Sequence, residues 1–223
     1  SHDAGFTGHD WVAETGADVE EIMDLGFDPV SIVAAAPDSL QASDLLKKRI
    51  VVASEYERIS KHYLDKRKYD YYFIRTFGAT EVFPPEDADL IIDNMSTGRT
   101  LVEHKLKVID TLMVSTTRMI ANKRILKDPA KAAKIAELKT MIQAVLDARD
   151  RVMLEMNIPV DKFDQLVGEL PCMRAPTVAP LHNDEGYAVK IAVKAKESAK
   201  LISRLKTLGA TDILEYRITK VLI

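Results

Sequence analysis

The chain has 223 residues, 47% of them hydrophobic and 29% charged, with 31 Lys and Arg against 34 Asp and Glu for a formal net charge of −3. That balance, with no basic run interleaved with aromatics, excludes an electrostatic footprint for nucleic acid, and no apolar run reaches membrane-spanning length. One cysteine, Cys172, rules out an internal disulfide and a cysteine-based metal site and fits a reducing cytoplasm. The polar, glycine-containing start shows no signal-peptide pattern.

In chain order, Ala4 to Gly8 reads as the end of a buried strand breaking into a helix at His9 or Asp10. The chain reads as opening inside a domain, with nothing ahead of that strand to pair with it. Asp10 is either a first-turn acid or a pocket carboxylate, and His9 reads as a solvated helix-start residue. Asp18 to Phe27 is a mixed polar and apolar piece ending at a glycine turn. Val30 to Ala36 is an apolar run closed by Pro37 and suits a strand covered on both faces. After a Pro37-Asp38-Ser39 linker the signals alternate. Strands are predicted at Arg49 to Ala53, Asp70 to Arg75, Ala88 to Ile92 and Leu106 to Ser115; helices at Glu55 to Lys66 and Thr97 to His104, with a short turn at Gly78 to Phe83. This is an α/β unit with mostly parallel pairing, whose ligands belong at the carboxyl ends of its strands.

At one such end stands Asp93-Asn94-Met95-Ser96-Thr97-Gly98-Arg99-Thr100. Gly98 lets the main chain approach closely, Ser96, Thr97 and Thr100 supply hydroxyls, and unpaired amides at a helix start face an anion. Asp93 can accept from a sugar diol. A well-capped strand-to-helix turn has the same composition, so the stretch alone divides evenly between a phosphate cradle and a turn. Tyr56, after the Arg49 strand, can face the same crevice or be buried at its helix start.

Arg118 to Ala121 reads as a short strand returning to the first lobe. Pro129 to Leu146 reads as a core-packing helix with Ile135, Leu138, Ile142, Val145 and Leu146 on one stripe. The remainder is ordered βαββαβ: strand Asp150 to Glu155, helix Pro159 to Leu166, a hairpin of Thr177 to Leu181 with Gly186 to Ala195, helix Glu197 to Leu208, and strand Thr211 to Ile223. That order is ferredoxin-like. His182, in the hairpin loop, reads as an exposed turn residue. The predicted architecture is α/β: a two-lobed, periplasmic-binding-protein-like core plus a C-terminal ferredoxin-like domain. Residues 1–37 and 117–149 are assigned to lobe I, 38–116 to lobe II, and 150–223 to the C-terminal domain.

Three stretches in this order resemble the ATP phosphoribosyltransferases of histidine biosynthesis in their long, feedback-regulated form. They are Gly5-Phe6-Thr7-Gly8-His9-Asp10-Trp11-Val12 with Asp24-Leu25-Gly26-Phe27; Asp93 to Leu101 after its Ala-Asp strand; and Pro176 to Leu181 with Leu208-Gly209-Ala210-Thr211-Asp212-Ile213-Leu214. The family's usual opening strand and Pro-Asn-Lys-Gly-like turn are not found before Ser1, which puts the first lobe's completeness in question. The resemblance implies a pentosyltransferase in which N1 of ATP attacks C1′ of phosphoribosyl pyrophosphate. It implies Mg²⁺ as cofactor, carried by the substrate with no protein metal ligand, and no assigned general base. Asp93, Ser96, Thr97, Gly98, Arg99 and Thr100 would hold phosphoribosyl pyrophosphate, and Asp10 and Tyr56 the purine nucleotide. Asn157, Met173, Ala175, Thr177, Val193 and Asp212 would line a histidine effector site. A cytoplasmic homo-oligomer, dimer to hexamer, is implied, with no nucleic-acid or membrane partner. The competing reading is a non-catalytic small-molecule or amino-acid binding module, or a regulatory subunit that needs a catalytic partner.

Overall fold

The computed structural model describes every residue except Ser1, Cys172, Arg174 and Ile223. It divides into two compact units, Ser1–Ile135 and Ala136–Ile223.

The first unit contains β1 (Ala4–Gly8), α1 (His9–Thr15), β2 (Val19–Asp24), β3 (Val30–Pro37), β4 (Ile50–Ser54), α2 (Glu57–Arg67), β5 (Tyr71–Arg75), β6 (Leu90–Met95), α3 (Arg99–Glu103), β7 (Leu106–Ser115) and β8 (Thr117–Asn122). These strands form two sheets, a three-stranded one in the order β1-β8-β2 and a five-stranded one in the order β5-β4-β6-β3-β7. The five-stranded sheet exists because its central strands are apolar on both faces. Ile32, Ala34 and Ala36 of β3 join Ile50, Val52, Leu90 and Ile92 in one buried cluster, whereas Val33 and Ala35 join Ala53, Ile91 and Leu101 in another. Alternate side chains of one strand thus feed two cores, as a strand sandwiched between layers must.

The structure corrects several sequence expectations here. Ala4–Gly8 is a half-buried strand with Phe6 57% exposed, and its partner is β8, antiparallel. Val19–Asp24 is a strand of the same sheet, bulged between Glu21 and Met23; the adjacent acids Glu20 and Glu21 break the alternation that would signal a strand. Val30–Pro37, assigned with residues 1–37 to the first lobe, pairs instead with β6 and β7 in the five-stranded sheet. Its fully apolar character fits a central strand of either lobe, and only pairing decides. Pairing is also less parallel than expected: β4 pairs parallel with β5 and β6, but β3 is antiparallel to both its neighbours. β3 alone runs against the other four, so the carboxyl ends of β4, β6 and β7 still share one edge.

Helix α4 (Pro129–Arg149) carries the chain from the first unit into the second. Asp128 caps it through the amides of Ala130 and Lys131, and Pro129 occupies the first turn, where its missing N–H costs nothing. Its burial differs from the expected stripe: Ala144 and Ala148 are buried, while Leu138 is 43% exposed. Small side chains allow the closest approach, and the amide of Val221 donates to the Ala144 carbonyl.

The second unit continues with β9 (Arg151–Ile158), α5 (Phe163–Val167), β10 (Thr177–Pro180), β11 (Tyr187–Lys194), α6 (Ala195–Thr207) and β12 (Thr211–Arg217). The sheet order β10-β11-β9-β12, antiparallel throughout, is the ferredoxin-like arrangement. Val152, Leu154, Met156 and Ile158 of β9 and Val189, Ile191 and Val193 of β11 form its core with Leu166 of α5 and Leu205 of α6. The last strand stops at Arg217, short of the expected Ile223, which lies outside the described residues. Gly186 enters β11 with φ +151°, and a Cβ there would stand 2.3 Å from the Ile158 carbonyl oxygen. Since backbone must move to admit it, Gly186→Ala should lower the stability of this unit by about 1–3 kcal/mol. A shift of the urea midpoint checks this, and an unchanged midpoint would show that the β9–β11 end can yield.

Candidate active site

β6 delivers three fully buried residues, Leu90, Ile91 and Ile92, and then Asp93 at the carboxyl edge. Its start is pinned by Asp89, whose carboxylate accepts from the Val51 amide at 2.9 Å and pairs with Lys48 at 2.6 Å. Beyond Met95 the chain turns through Gly98, at φ +76°, into α3. That left-handed conformation suits glycine, and a Cβ there would also press on the Met95 sulfur at 3.2 Å. The result is a cavity of about 280 Å³ with Asp93 and Glu81 on its wall and Ser96, Thr97, Gly98 and Thr100 around it.

Five of the six residues expected to hold phosphoribosyl pyrophosphate therefore line one cavity. The sixth, Arg99, is not among its lining residues: Nε donates to Glu103 one helical turn on, at 2.7 Å. Asp93 accepts from the Asn94 backbone amide at 2.7 Å. Burial pushes its carboxyl up to about 6, opposed by the Asn94 amide and raised further by the charges of Glu81 and Glu55. An acidic, half-desolvated carboxyl beside hydroxyls and exposed main chain can accept from a diol and needs a cation nearby to neutralise its surroundings.

Asp10 and Tyr56, the expected nucleotide contacts, also come together, but inside the protein. Tyr56 donates its hydroxyl to Asp10 Oδ2 at 2.8 Å, and Ser115 donates to Asp10 Oδ1 at 2.6 Å while accepting the Asp10 amide at 3.0 Å. Asp10 is 4% exposed and Tyr56 1%, so in this conformation they satisfy each other and present almost no surface. Burial, then the Asp10 carboxylate, raises the Tyr56 hydroxyl well above its ordinary range. Asn94 links the two parts of the site, its Nδ2 lying 3.4 Å from the Tyr56 hydroxyl and 3.3 Å from Asp93 Oδ1. The Trp11 ring packs on Tyr56 with centroids 5.2 Å apart.

Sequence reasoning missed Ser115, Asn94, Glu81 and Gly8. A Cβ on Gly8 would stand 2.1 Å from Asp10 Oδ1, so the glycine is what lets the carboxylate turn inward. Only the Gly-His-Asp run hinted at it; Ser115, 105 residues from Asp10, carries no local signal. His9 pairs with Glu21 at 2.9 Å, in keeping with a surface position, and His182 is exposed in its turn.

In the second unit, Asn157 donates Nδ2 to Asp212 Oδ2 at 3.0 Å, and Thr211 donates to the same oxygen at 2.9 Å. Asp212 sits at φ +49° where β12 bulges between Thr211 and Leu214. Thr177 lies two strands away, exposed and paired with Lys190, and Met173 and Ala175 are exposed ahead of it. Val193 does not join them: it belongs to the buried core, whereas Asn157 alternates to the opposite face of the sheet. Among the described residues no group of three His, Cys, Asp or Glu side chains is placed to hold a metal ion, and no helix is long and apolar enough to cross a membrane.

The ATP phosphoribosyltransferase family model matches residues 1–144, and the family's C-terminal domain model matches residues 148–220. The ATP phosphoribosyltransferase of Pelotomaculum thermopropionicum is 40% identical over 99% of this chain and 78% of its own length. That of Thermodesulfovibrio yellowstonii is 38% identical over 99% and 77%. A solved ATP phosphoribosyl transferase (HisG:HisZ) complex from Thermotoga maritima shares the fold, with a TM-score of 0.60 and 23% identity over 65% of this chain and 70% of that one. With both parts of the chain matched and relatives alike over nearly all of it, the chain belongs to the ATP phosphoribosyltransferase family.

Proposed function

We propose that this chain transfers a phosphoribosyl group to ATP, with the cavity at the end of β6 as the phosphoribosyl pyrophosphate site. N1 of ATP forms a bond to C1′ of the sugar, the bond from C1′ to the pyrophosphate oxygen breaks, and pyrophosphate leaves. The observation that carries this is the single cavity joining Asp93 to the hydroxyls and main chain of Ser96, Thr97, Gly98 and Thr100. Asp93 accepts from the ribose hydroxyls; the turn and its hydroxyls donate to the 5′-phosphate. Arg99, freed from Glu103, can add a cation to the same phosphate. Mg²⁺ enters with the pyrophosphate as part of the substrate, where Asp93, Glu81 and Glu55 leave the local charge negative. N1 is already a nucleophile, so orientation and charge neutralisation supply the acceleration rather than a general base. Asp10 and Tyr56 meet the nucleotide once the Tyr56 hydroxyl turns outward.

The same reading makes the second unit a histidine sensor built around Asn157, Asp212 and Thr177, with Met173 and Ala175 beside them. It acts in a cytoplasmic homo-oligomer, dimer to hexamer, by shifting the population of assemblies. Saturating histidine should raise the melting temperature through linkage, and Thr177→Ala should weaken that effect. No shift in either protein counts against the sensor. The enzyme reading is tested by pyrophosphate release from phosphoribosyl pyrophosphate with Mg²⁺. Release is expected only when ATP is present and should fall by about 10²-fold or more in Asp93→Ala. Release without ATP, or none at all, contradicts it.

A further inference from the structure

A separate cavity of about 440 Å³ lies between α1, α2 and β7, and it shares no lining residue with the Asp93 cavity. Its floor is apolar: Ile59 and Tyr63 of α2 and Leu112 and Met113 of β7. Its rim is polar and carries two cations: Arg58, His62 and Lys66 recur every four residues along α2 and so stand about 6 Å apart on one flank. Most neighbouring cations of this unit are already paired, Lys48 with Asp89, Lys61 with Glu57 and Arg67 with Asp110. Among the described residues, none of Arg58, His62 and Lys66 has an acidic partner. The nearby carboxylates make their hydrogen bonds to other groups: Glu14 accepts the amides of Arg58 and Ile59, Asp65 accepts from Tyr71, and Asp110 accepts from Tyr63.

An apolar floor of small-molecule size, rimmed by two cations without an ion-pair partner and by the His62 ring nitrogens, is complementary to a flat apolar body carrying one negative head. We infer that this cavity binds a small aromatic anion, its ring on Ile59, Tyr63, Leu112 and Met113 and its carboxylate, sulfonate or phosphate against His62 and Lys66. The floor residues pack on the same core cluster as Tyr56, so the ligand would sit beside the Asp10–Tyr56 pair and outside the substrate cavity.

The chain's single tryptophan, Trp11, is two residues from Ala13 on the cavity wall and serves as a local energy donor. The probe is 8-anilinonaphthalene-1-sulfonate, read by its emission on exciting Trp11 in the full chain. Saturable transfer is expected, unaffected by excess magnesium phosphoribosyl pyrophosphate. The double variant His62→Glu, Lys66→Glu should raise the dissociation constant about tenfold, the size expected when one exposed charge contact and one ring N–H contact are replaced by negative charges. Both positions are exposed, so folding is checked by an unchanged melting curve and unchanged basal turnover. Leu214→Lys, on the open sheet face of the second unit, should change nothing. Transfer that survives the double variant, is abolished by Leu214→Lys, is displaced by phosphoribosyl pyrophosphate, or is missing because another copy of the chain covers the cavity would overturn the assignment.

Discussion

Asp93→Asn is expected to make the protein more stable at pH 7 and nearly inactive. In the folded chain the carboxyl is pushed up to about 6 from an ordinary 3.8, chiefly by burial. The native state therefore favours the protonated form and binds more protons than the unfolded chain between these values. Stability is lost as pH rises through this window, and the ionised side chain remains a cost above it. That displacement corresponds to at most about 3 kcal/mol, which partial exposure reduces to about 1–2 kcal/mol. Asparagine keeps the shape and removes the charge, so the urea midpoint should rise at pH 7, with the gain fading below pH 6 and gone by about pH 4. Turnover should nevertheless fall by about 10²-fold, since a neutral amide is a poorer acceptor for a diol. In the parent protein, kcat/KM for phosphoribosyl pyrophosphate should drop about tenfold per pH unit below 6, and Asp93→Asn should flatten that limb. A destabilised Asn variant at pH 7 would contradict this assignment of charge.

The second large effect is structural. Asp10→Ala removes the acceptor of both Tyr56 and Ser115, all three groups being buried. Two hydroxyls stranded without water should cost about 2–5 kcal/mol. Gly8→Ala attacks the same network from the backbone, because its Cβ cannot coexist with Asp10 Oδ1 at 2.1 Å. It should cost about 1–3 kcal/mol, and the double variant should lose much less than the two losses added together. Denaturant unfolding of the two single variants and the double variant measures this; fully additive losses would mean that Gly8 acts apart from the carboxylate.

Those two sites also mark how far the sequence can be read. Asp93 was legible because the feature is local: an apolar strand, an acid, then hydroxyls and a glycine within eight residues. The ferredoxin-like unit was legible for a similar reason, since β9 alternates buried and open side chains along its length. Val30–Pro37 was legible as a buried strand but not as a member of the five-stranded sheet, because its apolar run fits a central position anywhere. Val19–Asp24 was obscured by Glu20, Glu21 and Asp24, whose adjacent pair and the bulge after Glu21 erase the two-residue period. The inward turn of Asp10 depends on Ser115 and Gly8, one distant in sequence and one acting by what it lacks. Val193 was matched by motif, and only the sheet's alternation shows that it faces the core instead of Asn157.

The claim that the β6 turn holds the phosphoribosyl donor rather than the nucleotide is tested most directly by calorimetric titration of each substrate into the parent and into Thr97→Val. Valine keeps the shape and removes the hydroxyl from the cavity wall. Affinity for magnesium phosphoribosyl pyrophosphate should fall by about tenfold, the value of one charge-assisted hydrogen bond, while affinity for ATP stays as in the parent. Loss of ATP affinity with phosphoribosyl pyrophosphate binding intact would assign the turn to the nucleotide and contradict the reading.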